Sequence, residues 1–252
     1  SLTKFEGLAE NPVFLSKTFE IGGEKIGYLV YNGFTNEYDE DLNNAFGDFK
    51  AANVQHLVLD LRYNPGGSVN SARLLSSMIY GTKTDEVFLR QRWNSKIQPE
   101  LTNEQLIDNF GDKTGDGTAL NTLNLTKVYI LATNSSASSS ELVINGLAPY
   151  VDVVHIGETT RGKNEFSITM VDDFGNSYIY SKARENKINP KNQWAIQPLV
   201  GRNENADGFS DYTSGLAPDI DLEEDLANLG VLGDENEPLL ARAIQEITGA
   251  SS

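Results

Sequence analysis

The chain has no cysteine and only two histidines, His56 and His155. Without cysteine there are no disulfides, no thiol nucleophiles and no thiolate metal sites. Two imidazoles are too few for a multi-histidine metal centre. No apolar run approaches the roughly 18 residues that a membrane-spanning helix needs. We therefore expect neither a thiolate nor a multi-histidine metal site.

Positive charge is also scarce. The 252 residues carry 20 Lys and Arg against 36 Asp and Glu, which gives a formal net charge of −16 at pH 7. Such an acidic chain repels phosphate backbones and anionic lipid surfaces. The composition therefore argues against a nucleic-acid partner and against a polybasic membrane anchor. The opening SLTKFEG has neither the basic nor the apolar region of an export signal, so we expect any such signal upstream.

Short apolar runs that alternate with amphipathic stretches predict one α/β domain over residues 1–252. Buried strands are predicted at 56–62 (HLVLDLR), 127–133 (KVYILAT) and 151–157 (VDVVHIG). A helix, SSSELVINGLAPY, separates the last two strands. Strand–helix–strand on short loops implies parallel pairing through right-handed crossovers.

The remaining segments are assigned from turn residues and periodicity. The predicted elements are a strand pair within 14–31, a helix at 35–53, a helix through 72–79, an antiparallel strand pair of 166–170 with 177–181, and a helix from Pro238. We interpret residues 1–19 as an N-terminal extension or linker. The polar, weakly periodic stretch 81–122 is interpreted as an insertion or lid-like segment.

The sequence partly matches three known motifs, but each match lacks a residue or pattern that the motif's chemistry requires. Residues 157–164 follow the P-loop pattern until Asn164, which stands where a hydroxyl would bind magnesium. Residues 112–123 begin like a calcium loop, but Leu123 stands where a bidentate glutamate is required. No G-x-S-x-G motif accompanies either histidine, and both lie in or beside apolar strands. A solvated turn and core histidines are the better interpretations.

The serine-rich stretch at 134–141 (NSSASSSE) supports two interpretations. In the first, Ser138 and Glu141 form a capping box that only satisfies backbone N–H groups at a helix start. In the second, one of these serines is a nucleophile at a helix N-terminus, beside free N–H groups that stabilise an oxyanion. A nucleophilic serine also needs a base, and a desolvated lysine serves in known Ser-Lys pairs. Lys163, in a Gly-flanked turn after strand 151–157, fits that role, although most lysines lie on the surface.

Four segments resemble, in order and spacing, the catalytic domain of the C-terminal processing peptidases, or tail-specific proteases. They are KIGYLVYNGF, HLVLDLRYNPGG, NSSASSSELVINGLAPYVDVVHIGETTRGK and SGLAPDI. The closing GDENEPLLARAI is similar to the tail of relatives from the Bacteroidetes. The resemblance covers about residues 20–248 and implies a Clp-protease/crotonase-like fold, α/β with parallel strands, crossover helices and a small antiparallel strand pair.

The resemblance assigns roles to five residues. Ser138 corresponds to the family's nucleophile and Lys163 to its general base, at the family's usual interval of 25 residues. The backbone N–H groups of Gly67 and Ser139 correspond to the oxyanion hole. Many members carry a glutamine four residues after the lysine that orients it, and this chain has Ser167 there. Ser167 is therefore the candidate orienter, with a shorter reach.

The resemblance implies a serine endopeptidase whose Ser-Lys dyad hydrolyses peptide bonds in unfolded or C-terminal protein segments, with no metal or cofactor. It also implies a polypeptide substrate, a PDZ domain upstream in the full-length protein, and an exported protein, periplasmic or anchored at the envelope. The departure at Ser167 keeps an alternative open, a weakened or inactive relative that acts as a peptide- or ligand-binding module. An acyl-CoA hydrolase or isomerase is a weaker third hypothesis, because this Ser-Lys spacing belongs to the peptidase branch.

Overall fold

The computed structural model describes residue 7 and residues 10–249. Its strands are β1 (Val13–Ile21), β2 (Glu24–Tyr31), β3 (His56–Asp60), β4 (Val87–Trp93), β5 (Ile107–Asn109), β6 (Lys127–Ala132), β7 (Asp152–Gly157), β8 (Glu165–Ser167), β9 (Leu199–Glu204) and β10 (Ile220–Asp221). Its helices are α1 (Asp39–Ala51), α2 (Val69–Tyr80), α3 (Asn103–Leu106), α4 (Ser139–Leu147) and α5 (Pro238–Thr248). Within these residues, no helix is long and apolar enough to cross a bilayer.

The main sheet has the strand order β1-β2-β3-β6-β7-β10. The first two strands form an antiparallel hairpin, and every other neighbouring pair is parallel. The helix α4 links β6 to β7, which are direct neighbours. The predicted parallel sheet with crossover helices is therefore confirmed. The loops that follow β3, β6 and β7 all emerge at the carboxyl edge of this sheet.

Both faces of the sheet are covered, which explains why its central strands are continuous apolar runs. On one face, Leu57 and Leu59 pack in a cluster with side chains of α1, α2 and α4. On the other, Val58 packs in a second cluster with Leu239 and Leu240 of α5. Alternate residues of β3 thus serve opposite cores. Of the predicted extension 1–19, residues 13–19 belong to β1, and residues 1–6, 8 and 9 lie outside the described part.

A buried group of charges holds α5 against the sheet. The Arg62 side chain is 1% exposed and donates hydrogen bonds to both carboxylate oxygens of Asp60, at 3.0 Å. It donates two more to Glu237, at 2.7 and 2.9 Å, and one to Glu224, at 3.1 Å. Glu237 in turn caps α5 by accepting the N–H of Leu240. We call this group the Arg62 cluster; it lies directly before the loop that follows β3.

A second, antiparallel sheet has the order β5-β4-β9-β8. The predicted pairing of 166–170 with 177–181 is wrong for β8, whose partner is β9. The later part of that prediction is present, since Met170 bridges Ile179 and the N–H of Tyr180 donates to the carbonyl of Thr169 at 2.9 Å. Two elements of this sheet, β4 and β5, come from the stretch 81–122. That stretch is therefore more regular than its weak periodicity indicates.

Candidate active site

Ser138 stands between the end of β6 and the first turn of α4, in an unusual backbone conformation. Its φ of 57° and ψ of −111° are rarely adopted by a residue with a side chain. Such strain persists only where the surroundings enforce it, and it concentrates at functional sites. The enforcing contacts are visible: Ser136 Oγ donates to the carbonyl of Leu61, and Ser140 Oγ donates to that of Asn64.

The neighbouring serines are thus used to build the loop, whereas Ser138 is partly exposed. Ser139 is also engaged, since its Oγ donates to the carbonyl of Gly67 at 2.8 Å. These bonds tie the start of α4 to the Asn-Pro-Gly-Gly turn that follows β3. Among the three serines at 138–140, the structure therefore leaves Ser138 as the one that faces outward.

Close approach of the Asn-Pro-Gly-Gly turn to Ser138 explains both of its glycines. A Cβ on Gly66 would lie 2.7 Å from the Cβ of Ser138, and one on Gly67 would lie 2.1 Å from the carbonyl oxygen of Phe34. Both glycines also have positive φ, of 100° and 140°. The backbone N–H groups of Gly67 and Ser139 have no hydrogen-bond acceptor among the described residues. Each is free to bind an external oxygen.

Glu141 connects the Ser138 loop to the Lys163 loop. Its side chain is fully buried and accepts four hydrogen bonds. One carboxylate oxygen accepts the backbone N–H of Ser138 at 2.8 Å and that of Lys163 at 2.9 Å. The other accepts the Thr160 hydroxyl and the N–H of Gly162, both at 2.6 Å. The carboxylate half of the predicted capping box therefore forms, and the same oxygen also fixes Lys163.

The Lys163 side chain is exposed and forms no hydrogen bond or ion pair in the described part of the chain. The structure thus brings the backbones of Ser138 and Lys163 to one carboxylate oxygen without joining Nζ to Oγ. Ser167 lies on β8, exposed, and likewise forms no hydrogen bond with Lys163. Its role as the orienter of the lysine remains a prediction.

Neither histidine contacts this site through a hydrogen bond within the described residues. His56 pairs with Glu24 at 2.9 Å, at the far end of its strand. His155 is buried in β7, and burial lowers the pKa of its imidazole. No cluster of three or more His, Asp or Glu that could hold a metal ion occurs among the described residues. The calcium-like stretch is a turn in which Asp116 accepts hydrogen bonds from Thr114 and Thr118.

Sequence reasoning assigned Glu141 only a capping role. The signal for that role was the S-x-x-E spacing, which accounts for one of its four hydrogen bonds. The other three come from the loop after β7, 19–22 residues further along the chain. Nothing in the local pattern distinguishes this glutamate from an ordinary capping residue.

Comparison with known proteins identifies the family to which the sequence is similar. The model of peptidase family S41 matches residues 25–221. The carboxy-terminal processing protease CtpB of Bacillus subtilis (strain 168) is 28% identical over 153 residues, 60% of this chain and 28% of the relative. A carboxyl-terminal-processing protease of Picosynechococcus sp. is 26% identical over 163 residues, 62% of this chain and 33% of the relative. The chain thus matches only about a third of these relatives' length.

Solved structures extend the likeness to nearly the whole chain. A Bacteroides fragilis NCTC 9343 protein assigned to the S41 proteases superposes with a TM-score of 0.80 at 32% identity, over 97% of this chain and 60% of that one. A photosystem II D1 C-terminal processing protease has a TM-score of 0.62 at 19% identity, over 93% of this chain and 56% of that one, and supports the fold alone. Because the family model matches residues 25–221, which is most of this chain, the chain belongs to peptidase family S41.

Proposed function

We propose that the protein is a serine endopeptidase in which Ser138 is the nucleophile and Lys163 the general base. The observation that carries this proposal is the single Glu141 oxygen that binds the N–H groups of both residues. It supports the pairing because it fixes two loops, distant in sequence, at one point. The strained φ of Ser138 supports it independently, since strain of this kind marks functional positions.

The proposed reaction passes through an acyl-enzyme. Neutral Lys163 Nζ takes the proton of Ser138 Oγ while Oγ bonds to the scissile carbonyl carbon. The N–H groups of Gly67 and Ser139 bind the oxyanion, for which their lack of an internal acceptor leaves them available. The protonated lysine then gives its proton to the leaving amine. In the second half, water attacks the acyl carbon, Lys163 accepts its proton, and Ser138 regains one as the carboxyl product leaves.

The exposure of Lys163 bears on how this reaction starts. An amine acts as a base only in its neutral form, and removal of the surrounding water favours that form. We propose that the substrate backbone displaces the water around Lys163 Nζ when it binds between the Ser138 loop and β8. Ser167, at the position of the family's glutamine, would then contact the Lys163 side chain.

The same exposure favours a second candidate, a binding module that keeps the cleft without turnover. In that case Lys163 stays solvated when a peptide is bound. The two candidates differ in one measurable respect, because only the peptidase converts bound polypeptide into fragments.

The proposed substrates are unfolded or C-terminal segments of polypeptides, in keeping with the names of the processing proteases that the chain resembles. Capture of a substrate tail by an upstream PDZ domain belongs to the same proposal. So does an exported location, periplasmic or at the envelope. The tail specificity of the full-length protein is testable only with that protein.

The proposal is tested by incubating the chain with carboxymethylated casein, a permanently unfolded substrate, and identifying fragments by mass spectrometry. We expect new peptide termini that accumulate in proportion to enzyme concentration. Saturable casein binding without any new terminus, in this chain and in one extended upstream, would favour the binding module and contradict the peptidase.

Replacing Glu141 by glutamine should slow turnover about 100-fold, because small misplacement of reacting groups costs that much. A glutamine amide has one acceptor oxygen where the carboxylate has two, so the NH₂ group would oppose N–H donors that are now bonded. We expect the loss in kcat, with little change in KM. Glu158→Gln, in the loop of Lys163 but outside this network, is the matched control, because its carboxylate accepts a single N–H, that of Asn134, at 3.4 Å. Equal losses in both variants, or unchanged kcat in Glu141→Gln, would contradict the positioning role.

A further inference from the structure

A segment between β8 and β9, residues 168–198, stands out from the rest of the molecule, and we call it the projection. Only one of its residues, Asp173, is buried. Its large apolar side chains instead face solvent: Phe174 82%, Trp194 86%, Ile196 63%, Ile179 45%, Tyr178 43% and Tyr180 39% exposed. Exposed apolar patches of this kind mark binding surfaces in soluble proteins.

Polar contacts hold the projection in shape despite its lack of an apolar core. Arg184 donates two hydrogen bonds to the carboxylate of Asp173, at 2.7 and 2.8 Å. Met170 and Ile196 exchange two backbone hydrogen bonds, at 2.8 and 3.0 Å. Asp172 accepts the side-chain amide of Asn189 at 2.8 Å. The exposed side chains are therefore presented on a preformed surface, which lowers the entropy cost of binding.

These contacts leave a groove of about 340 Å³ on the projection. Met170, Tyr178, Trp194 and Ile196 give it apolar walls, and Asp172 and Asn192 add polar groups. This size lies at the lower end of the range for ligand pockets and fits a large side chain together with adjoining backbone. Phe174 is equally exposed on the projection but does not line the groove.

The groove lies within reach of the candidate active site along the chain. Residues 164–169 connect Lys163 to Met170, and in this part of the chain Ser167 pairs with Leu199 and Met170 with Ile196. Seven steps of at most about 3.3 Å each put the groove no more than about 23 Å from Lys163. An extended polypeptide therefore spans from Lys163 to the groove with no more than about seven residues.

Charge indicates what kind of polypeptide fits. The projection carries four basic and three acidic side chains, whereas the rest of the chain carries 16 basic and 33 acidic ones. Its Lys182, Lys187 and Lys191 are exposed. The projection is thus close to neutral on an otherwise acidic chain, and the one charged side chain among those lining the groove is Asp172. Charge therefore favours a polypeptide whose docked side chain is apolar and uncharged.

We propose that this groove is a docking site for the polypeptide substrate, which places there a large apolar side chain within about seven residues of the scissile bond. The inference rests on the proposed function, because it assigns a substrate feature to the same site. Docking at a distance favours long unfolded segments over short peptides. It also orders the substrate segment that displaces water from Lys163.

The test uses peptides that share one cleavable segment identified from casein digestion. Each carries phenylalanine or serine at the position seven residues from the scissile bond, on one side of it or the other. We expect phenylalanine to raise kcat/KM about 10-fold, a typical gain for burying one aromatic side chain. Trp194→Ser should remove that gain through KM while retaining kcat and the cleavage of the serine peptide. Phe174→Ser, which truncates an equally exposed aromatic outside the groove, should retain the gain.

A binding assay distinguishes a failure of this inference from a failure of the proposed function on which it rests. In the Ser138→Ala background, fluorescence anisotropy should show the phenylalanine peptide binding about 10-fold more tightly than the serine peptide, and Trp194→Ser should abolish the difference. If that pattern appears without turnover in the native chain, docking stands and the peptidase proposal fails. Equal binding of both peptides would overturn docking. So would sedimentation showing a dimer that Trp194→Ser disrupts, because the occupant is then a second copy of the chain.

Discussion

Ser138→Ala is expected to reduce proteolysis by at least about 10³-fold, because no other hydroxyl in the described part of the chain is placed to form the acyl-enzyme. The structure explains why neighbours cannot substitute. Ser139 and Ser140 donate their hydroxyl hydrogens to the carbonyls of Gly67 and Asn64, and both are buried. Fragment formation from carboxymethylated casein, followed by mass spectrometry, measures the loss.

Two further variants complete that experiment. Ser135→Ala removes an exposed hydroxyl three residues away and should retain full activity. Lys163→Arg keeps the positive charge but cannot act as a base, since a guanidinium does not deprotonate in proteins. It should be as inactive as Lys163→Ala. Activity retained in Lys163→Arg, or lost in Ser135→Ala, would contradict the assignment of the dyad.

Arg62→Met is expected to lower the free energy of unfolding by about 3–5 kcal/mol, the usual effect of removing one partner from a buried ion pair. The substitution leaves Asp60, Glu224 and Glu237 together without their cation. It also weakens the attachment of α5, because Glu237 is both the helix cap and a partner of Arg62. Urea unfolding at pH 7.5 gives the change in stability.

The pH dependence of that loss identifies its cause. Burial already raises the pKa of Asp60, and removal of Arg62 would raise it further. A carboxyl whose pKa is higher in the folded state stabilises that state at low pH and loses this contribution as pH rises. Arg62→Met should therefore be less destabilised at pH 5 than at pH 7.5. The control Arg92→Met breaks a half-exposed pair with Glu204 and should cost about 1 kcal/mol or less.

A different pattern would contradict this account of the Arg62 cluster. If Arg62→Met is as stable as the native chain, the cation does not hold α5 in place. The apolar contacts of Leu239 and Leu240 with the cluster around Val58 would then suffice to keep the helix on the sheet. If the loss is independent of pH, the shape of the arginine side chain and not its charge explains the effect.

The main sheet was predictable because each element carries its own periodicity. The runs at β3, β6 and β7 are apolar throughout, and α4 lies between two of them on short loops, so parallel pairing follows from local pattern alone. The partner of β8 was not predictable in this way. β9 lies more than 30 residues further along the chain, and the nearer segment 177–181 offered a closer apparent match.

The candidate site shows the same division between local and distant information. The resemblance singled out Ser138 and Lys163 by motif, and their spacing placed both beside neighbouring parallel strands. The fourfold role of Glu141 depends on contacts that only the folded topology creates. The exposure of Trp194 was equally unpredictable from the sequence, since a sequence pattern does not distinguish an aromatic side chain in a core from one on a binding surface.

The central claim is that Ser138 becomes acylated with the help of Lys163, and a trapping experiment tests it most directly. The chain is mixed with a peptide p-nitrophenyl ester, quenched in acid within the first turnover, digested and mapped by mass spectrometry. The account predicts one acyl adduct, on Ser138, that disappears in Lys163→Ala. An adduct on another residue, or one that forms on Ser138 equally fast without Lys163, would contradict it.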